Sequence, residues 1–598
     1  MSDRISRRDA LKVLGAASAG ALIAPQVVDV TPASPPMVRV LARHAPGEIL
    51  PLTSTSDVFV PPRGRAFMKF SFDFPEPSVA FADLQFGFLA FTDENTYGLD
   101  RAAMTATGSD DELRLTCTRF VWAGGQQTAP GNLTATFRRN GRTIEWDAVV
   151  EMERPIKTVT TIVRGVPRGQ ISLSAADFFD PRDNEVLGGY AFGAGDLNVS
   201  AGMTTPLAVV QAGEQEFFFV SSLDDRVRPK RFYFQPGERA YRMEAIYEHD
   251  GWRNDHRVTV PRWRIGRATS MDDAVQPHFE HLERAYKLPA WETRADVPQW
   301  MRRIALVTTL HGMHYTGFIF NDYARQLEIL RWMATQIPGD RVLVFLSAWD
   351  GRYYWEYPNF QVDRRMGGEA GFRRLITEAR KLGFKMMPMF GTNAANRKLP
   401  VWPRIADAAT AKIDGNVYNL DWVDWNNDRH QDGWLTYMNL GAPSWRNWLA
   451  GRIAAVIERY GVDAYFLDIV GGHVNSTNGD MHEGTRQMVD GLRERYPSVP
   501  CVGEMPYDAL YAFIPMYHAG GGTRWQKYAR FFQHLSAPAP GRGSSGVHES
   551  GFGRFNAETL NLSPNAIPTL QVVDDTFDRY RDTMAALIAK AKERAGIA

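Results

Sequence analysis

Two short apolar runs separated by a helical segment constrain the fold more than any other part of the sequence. The runs 464–467 and 499–502 are followed by Asp468 and Glu504. Runs this short, bounded by glycine and proline, are typical of strands buried on both faces of a parallel sheet. Residues 481–496 carry the spaced apolar residues of a covering helix. The sequence therefore predicts a strand–helix–strand unit with a carboxylate at the C-terminal end of each strand.

The positions of these two carboxylates predict chemistry as well as fold. Barrel enzymes place their catalytic groups at the C-terminal ends of the strands, and neighbouring strands lie about 4.8 Å apart. Asp468 and Glu504 are therefore predicted to lie about 5–5.5 Å apart, as in retaining glycosidases. Asp468 would be the nucleophile and Glu504 the acid/base, with the charge on Asp468 raising the pKa of Glu504. The alternative is that both are ordinary strand-end residues, solvated or capping a helix.

The alternation of strands and helices extends through residues 299–598. Eight strands in about 300 residues match a (β/α)8 TIM barrel, here with an insertion at 394–442. Helices are predicted over 322–333, 368–382, 444–460 and 481–496, with a closing helix from about 577. The predicted strands are 303–311, 341–346, 385–390, 464–468, 499–504, 513–518, 545–549 and 566–573.

The first part of the chain has a different pattern. Residues 37–275 contain many short segments in which apolar and polar residues alternate, which is typical of antiparallel sheets with one wet face. No long helical pattern interrupts them, so an N-terminal antiparallel β-sandwich is predicted. Residues 276–298 are assigned to a connecting helix and linker. A basic cluster, Arg226, Arg228, Lys230 and Arg231, is interpreted as a solvated turn.

The N-terminus has the pattern of an export signal. Arg7 and Arg8 precede the apolar, Ala- and Gly-rich run 13–24, which is short for a membrane span. Residues 1–36 are therefore predicted to be a twin-arginine signal peptide and linker. We expect export to the periplasm or beyond, with no membrane anchor afterwards.

Composition excludes several classes of function. Lys and Arg together number 68, as do Asp and Glu, so nothing indicates a nucleic-acid partner. Cys117 and Cys501 are the only cysteines, which excludes a disulfide framework or a cysteine-based metal site. No cofactor is predicted. The segment 421–428 is rich in oxygen ligands for Ca²⁺, but its spacing fits no EF-hand, and a solvated or substrate-binding loop is the preferred interpretation.

Polar and aromatic residues collect at the predicted strand ends. Asp350 is placed where a carboxylate can bind sugar hydroxyls, and Trp349 where an aromatic ring can stack on a sugar. The same residues also suit a packed loop. The predicted substrate-binding set is Asp350, Trp349, Asn393, His311, His473, His548, Asp574 and Asp575.

Particular segments resemble a known group of enzymes. Residues 465–471 (YFLDIVG) are similar to the fourth-strand motif of the endo-α-N-acetylgalactosaminidase type, and 357–360 and 383–388 look like its second and third barrel units. The resemblance implies a retaining glycoside hydrolase with a β-sandwich before a (β/α)8 barrel. It also implies a nucleophile at Asp468 and an acid/base at Glu504. Phe466 stands where α-amylases carry Arg, and the lysine that α-galactosidases carry before the nucleophile is lacking.

Three functions are compatible with these features. The first is a secreted retaining glycoside hydrolase acting on an α-linked oligo- or polysaccharide. The second is a transglycosidase with the same residues, which product analysis would distinguish. The third is a non-catalytic carbohydrate-binding protein, which would bind sugar without turnover. The sugar, its linkage and the oligomeric state do not follow from the sequence.

Overall fold

The computed structural model describes most of the chain. The described residues are 44–50, 77–122, 127–182, 184–190, 201–237, 240–313, 317–352, 355–392, 394–411, 413, 415–418, 435–518, 522–532, 566–573 and 576–597. They fall into two compact units, one comprising described residues up to Ala285 and the other those from Tyr286 onward. No described helix is long and apolar enough to cross a membrane.

The described β-strands of the first unit pair in an antiparallel manner, except for one parallel pair, β11 with β12. It ends in helix α1, Met271–Tyr286. The strands described in this unit are β1 Ile49–Leu50, β2 Ser78–Phe81, β3 Leu84–Thr92, β4 Thr96–Leu99, β5 Met104–Gly108, β6 Glu112–Trp122, β7 Gln127–Asn140, β8 Thr143–Met152, β9 Ile156–Pro167, β10 Gln170–Leu173, β11 Val186–Tyr190, β12 Ala201–Met203, β13 Leu207–Gly213, β14 Glu216–Ser222, β15 Lys230–Pro236, β16 Ala240–Glu248 and β17 Arg257–Ala268.

Alternating burial appears in part of this unit only. In β8 every second residue is buried, including Trp146, which stacks on Trp263 of β17 with ring centroids 6.4 Å apart. Strands β9 and β16 are instead buried along most of their length. Those two strands therefore have little exposed surface on either face, which the predicted pattern of one wet face did not anticipate.

Two residues of the basic cluster, Arg228 and Lys230, belong to a buried ion-pair network, so their interpretation as a solvated turn is wrong, whereas Arg226 is half-exposed. Lys230 Nζ lies 3.0 Å from Asp224 Oδ2, and both side chains are almost fully buried. Arg228 Nη2 lies 2.7 Å from the other oxygen of Asp224. Asp224 was not singled out from the sequence, but a buried cation needs such a partner because an isolated buried charge is costly.

This network makes the stability of the first unit depend on pH. Burial acts to raise the pKa of Asp224, but Lys230 and Arg228 outweigh it and lower the pKa to about 2. Because the folded-state pKa lies below the unfolded value, the stabilisation is complete above about pH 4 and is lost as pH falls towards 2. It is worth about 2 kcal/mol. We therefore expect Asp224→Asn to lower the free energy of unfolding by a clearly larger amount at pH 6 than at pH 2.5, measured by urea titration. Equal effects at both pH values would contradict the assignment.

The second unit contains a barrel-like ring of parallel strands. The ring order is β18, β19, β20, β23, β24, β25, β26 and β27, and β28 pairs with β18. Because β27 and β28 are separated by Pro568 alone, this pairing closes the ring. Its strands are β18 Leu306–Met313, β19 Val342–Arg352, β20 Lys385–Gly391, β23 Tyr465–Asp468, β24 Cys501–Glu504, β25 Met516–His518, β26 Arg530–Phe532, β27 Ala566–Ile567 and β28 Thr569–Val572, and a separate hairpin joins β21 Ala394–Asn396 to β22 Leu435–Tyr437.

Helices lie between the early strands of the ring, and local signals set their ends. Asp322 and Asp480 cap the starts of α3 and α6 by accepting backbone N–H bonds, and Gly461 ends α5 in the left-handed conformation. The described helices of this unit are α2 Gln299–Arg302, α3 Tyr323–Met333, α4 Gly368–Lys381, α5 Pro443–Tyr460, α6 Met481–Arg495, α7 Thr576–Arg579 and α8 Arg581–Arg594.

The seventh strand of the ring differs from the prediction. The ring position between β25 and the last strand is taken by β26, Arg530–Phe532, whereas the sequence pattern favoured 545–549, which lies outside the described residues. A three-residue strand is too short to show a periodicity, so only its pairing identifies it.

Candidate active site

Asp468 and Glu504 meet at the C-terminal ends of two neighbouring strands. The register pairs Leu467 of β23 with Gly503 of β24, so the residues that follow lie side by side. The Asp468 and Glu504 carboxyl groups share a hydrogen bond, which brings them closer than the predicted separation of about 5–5.5 Å. A hydrogen bond between two carboxyl groups requires a proton, so the pair holds one proton between its two members.

Both oxygens of Glu504 also have a hydrogen-bond partner outside the pair. The backbone N–H of Ile469 donates to Oε2 at 2.9 Å. Nδ1 of His518, on the neighbouring strand β25, lies 3.2 Å from Oε1. The side chains of Glu504 and His518 are 13% and 6% exposed. Glu504 is therefore held in one position while part of its surface remains accessible.

These contacts reverse the predicted pKa shift of Glu504. Burial favours the neutral carboxyl group and acts to raise the pKa. The hydrogen bond and the charge of His518 act against burial, and so do the hydrogen bonds from Asp468 and from the N–H of Ile469. The net result is a pKa of Glu504 lowered to about 2. The expectation of a raised value is wrong for this arrangement because it considered the charge on Asp468 without the donors.

The backbone is unusual directly after each carboxylate. Ile469 follows Asp468 with φ 52°, and Met505 follows Glu504 with φ 55°. The left-handed region is a genuine outlier for a β-branched residue such as Ile469. Each such residue costs about 1–3 kcal/mol and persists only where its surroundings impose it, most often at functional sites. Met505 is also 47% exposed, which is high for a large apolar side chain beside a buried carboxylate.

Gly471 lies where the segment after Asp468 contacts the segment after Glu504. Its N–H donates to the carbonyl oxygen of Glu504 at 3.1 Å. A Cβ atom at this position would lie 1.3 Å from the carbonyl oxygen of Met505, far inside any contact distance. Only glycine therefore fits where the segment after Asp468 crosses the segment after Glu504.

Asp350 is another buried carboxyl group of this unit. It lies on β19 and is 4% exposed. Burial, followed by the charges of Glu356 and Asp363, raises its pKa well above the ordinary value. Its Oδ2 atom has no hydrogen-bond partner among the described residues. Because that oxygen is also buried, it is not accessible to a sugar hydroxyl, contrary to the prediction.

Trp349 does not have the predicted role. It is 1% exposed, its Nε1 donates to the carbonyl oxygen of Met389 at 2.9 Å, and its ring stacks on Phe372 of α4. Ala348, with φ 49°, interrupts the regular strand geometry directly before it. Trp349 therefore packs between the sheet and its covering helix and is not available to a sugar ring.

The two predicted histidines that the structure describes are both buried. His311 has no exposed surface, and its Nδ1 contacts the hydroxyl of Ser347. It therefore packs inside the protein and, contrary to the prediction, is not accessible to a sugar hydroxyl. His473 is 5% exposed and its ring lies 6.4 Å from that of Tyr507. Four members of the predicted set lie outside the described residues: Asn393, His548, Asp574 and Asp575. The segment 421–428 also lies outside them.

His518 was missed by the sequence analysis. It was placed at the end of the sixth predicted strand, but it was not singled out because a lone histidine gives no motif. The available signal was its position, since the sixth strand of a parallel ring lies beside the fifth, which carries Glu504. Within the described part of the chain, no group of three His, Cys, Asp or Glu side chains is placed to hold a metal ion.

Solved structures with a similar fold include glycoside hydrolases. The alpha-N-acetylgalactosaminidase NagBb from Bifidobacterium bifidum, in complex with GalNAc, matches with a TM-score of 0.60 at 12% identity, over 88% of this chain and 91% of that chain. Its ligand-free structure matches with a TM-score of 0.56 at 12% identity, over 86% and 93%. No protein-family model matches the sequence, and no curated protein matches it either. At this identity the similarity establishes a shared multidomain fold.

Proposed function

We propose that this protein is a retaining glycoside hydrolase that cleaves an α-linked glycan. The observation that carries the proposal is the hydrogen-bonded Asp468–Glu504 pair at adjacent strand ends of a parallel ring, with left-handed backbone after each member. The fold shared with an α-N-acetylgalactosaminidase supports the α linkage.

The proposed mechanism uses the two carboxyl groups in turn. Asp468 attacks the anomeric carbon and forms a glycosyl-enzyme, while Glu504 protonates the leaving oxygen and then deprotonates the incoming water. Binding of the glycosidic oxygen would separate the pair. Glu504 would then lose the hydrogen bond from Asp468, which favours its ionised form, and would face an ionised Asp468. Both changes raise the pKa of Glu504 and place the shared proton where the leaving group needs it.

Sugar release tests this proposal. Wild-type protein and Asp468→Asn are incubated with a panel of α- and β-linked glycans and aryl glycosides. We expect release from an α-linked member by wild type only. Transfer of the sugar to another sugar in place of water would identify a transglycosidase. Binding by both proteins without any release would identify a non-catalytic carbohydrate-binding protein and contradict the hydrolase.

The pH dependence follows from the shared proton. The pair is competent while it holds one proton, so kcat/KM should be bell-shaped. The second proton adds to Glu504, whose pKa in the free protein is about 2. We therefore expect the acidic limb of kcat/KM to lie well below pH 4.5, the ordinary glutamate value. Initial rates after brief exposure to each pH would measure it, and an acidic limb at or above pH 4.5 would contradict the shared-proton arrangement.

Two further features belong to the proposal. We infer an N-terminal β-sandwich followed by a complete (β/α)8 barrel, supported by the antiparallel pairing up to β17 and by the closed parallel ring after it. We also infer twin-arginine export, supported by Arg7 and Arg8 before the apolar run 13–24. Fractionation of cells that express the full chain would test this location.

A further inference from the structure

His518 contacts Glu504 through the geometry of the ring itself. The parallel register between β24 and β25 pairs Glu504 with His518, and Nδ1 lies 3.2 Å from Oε1. Aromatic rings hold the imidazole in place, because the ring of Phe532 on the next strand lies 5.4 Å away and that of Phe466 lies 6.3 Å away. The imidazole is therefore fixed by packing and has little freedom to move away from Glu504.

We propose that His518 is a positioning residue for the proposed hydrolysis: it holds Oε1 of Glu504 and so fixes the carboxyl group between Asp468 and the N–H of Ile469. A glutamate side chain has three rotatable bonds, and an acid that samples several rotamers is seldom in line with the leaving oxygen. A catalytic group held in the productive geometry avoids that cost, and a misplacement of 1 Å costs about 10²-fold in rate. The backbone N–H of Ile469 alone fixes only the other oxygen.

The same contact sets the charge state of Glu504 before substrate binds. Among the described residues, the titratable side chains that act on the pKa of Glu504 through hydrogen bonds are His518 from β25 and Asp468 from β23. A donor at Oε1 favours the ionised carboxylate of Glu504. Removing this donor should raise the pKa of Glu504 and shift the acidic limb of kcat/KM upwards by about one pH unit or more.

Two variants of His518 distinguish a role in positioning Glu504 from a role in packing alone. His518→Leu fills the space between Phe466 and Phe532 but has no donor. His518→Asn retains an N–H donor near the position of Nδ1. The prediction rests on the proposed function, so the substrates are two glycosides of the sugar that wild type releases, one with a poor and one with a good leaving group. Thermal unfolding of both variants controls for folding.

We expect His518→Leu to lose about 10- to 100-fold in kcat on the poor leaving group, about threefold or less on the good one, and to shift the acidic limb upwards. His518→Asn should stay within about threefold of wild type on both. If His518→Leu lost the same factor in kcat on both substrates, or if its acidic limb of kcat/KM did not move, the proposed role of His518 would be overturned. The proposal of a hydrolase would stand. Absence of turnover by wild type on the whole panel would overturn the hydrolase and this role with it.

A titration that does not need activity completes the test. The ¹³C carboxyl resonance of Glu504, assigned by its absence in Glu504→Gln, is followed against pH in wild type and in His518→Leu. We expect a higher pKa of Glu504 in the leucine variant. An identical pKa in both proteins would show that His518 does not act on Glu504.

Discussion

Asp468→Gly should abolish hydrolysis, lowering kcat on the order of 10⁴-fold or more, because the anomeric carbon loses its nucleophile. Azide should restore turnover of an activated α-glycoside, since the small anion fits the space left by the carboxylate. It attacks from the side that Asp468 occupied, so one inversion gives the β-glycosyl azide. Chromatography of the products against both anomers measures the outcome.

Glu504→Ala is the matched variant for the second carboxyl group. The glycosyl-enzyme still forms from a substrate with a good leaving group, but no base activates water. Azide needs no base and attacks the β-linked intermediate, so the product is the α-glycosyl azide. The pair of experiments matters because the low pKa of Glu504 in the free protein is also what a nucleophile would show. If Asp468→Gly gave the α-glycosyl azide and Glu504→Ala the β-glycosyl azide, Glu504 would be the nucleophile and Asp468 the acid/base.

The second large effect, on both stability and activity, is expected at Gly471, which has no side chain to take part in catalysis. Gly471→Ala places a methyl group 1.3 Å from the carbonyl oxygen of Met505, and a backbone atom cannot move aside as a flexible side chain can. The segment that carries Glu504 must shift. We expect the free energy of unfolding to fall by about 3 kcal/mol or more and kcat/KM to fall about 100-fold or more. Urea titration and initial rates measure the two effects.

Gly491→Ala is the control for this substitution. Gly491 lies inside helix α6, and a Cβ atom there meets nothing within 4 Å. The same change of residue should therefore stabilise the protein by about 0.5–1 kcal/mol through the helix propensity of alanine, with activity unchanged. Wild-type stability in Gly471→Ala would show that the two segments do not cross as described.

The sequence predicted the early units of the ring closely, for identifiable physical reasons. Apolar runs bounded by glycine or proline marked β20, β23 and β24, and spaced apolar residues marked helix α6. These signals are local, since each depends on a few neighbouring residues. The carboxylates at the ends of β23 and β24 were predicted from the same local pattern.

The remaining features depend on contacts between distant segments. The left-handed Ala348 precedes Trp349, which packs under α4, and no periodicity shows a single unusual residue. The contact between His518 and Glu504 arises from the register of two strands. The shared proton depends on how donors converge on Glu504, and that convergence reversed the predicted shift of its pKa. Tertiary packing therefore determines the electrostatics around Glu504, although the sequence predicted that Asp468 and Glu504 would end neighbouring strands.

The closure of the ring by β28 has a consequence for the order in which the protein is made. The Thr308 hydroxyl donates to the carbonyl oxygen of Leu570, 262 residues further along the chain. The pairing of β18 is therefore incomplete until β28 has been synthesised. Until residues 566–572 leave the ribosome, β18 and β26 each present an unpaired strand edge, and such edges favour aggregation. Nascent chains that stop before residue 566 should therefore depend on a chaperone, whereas the finished chain shields both edges by its own last strand.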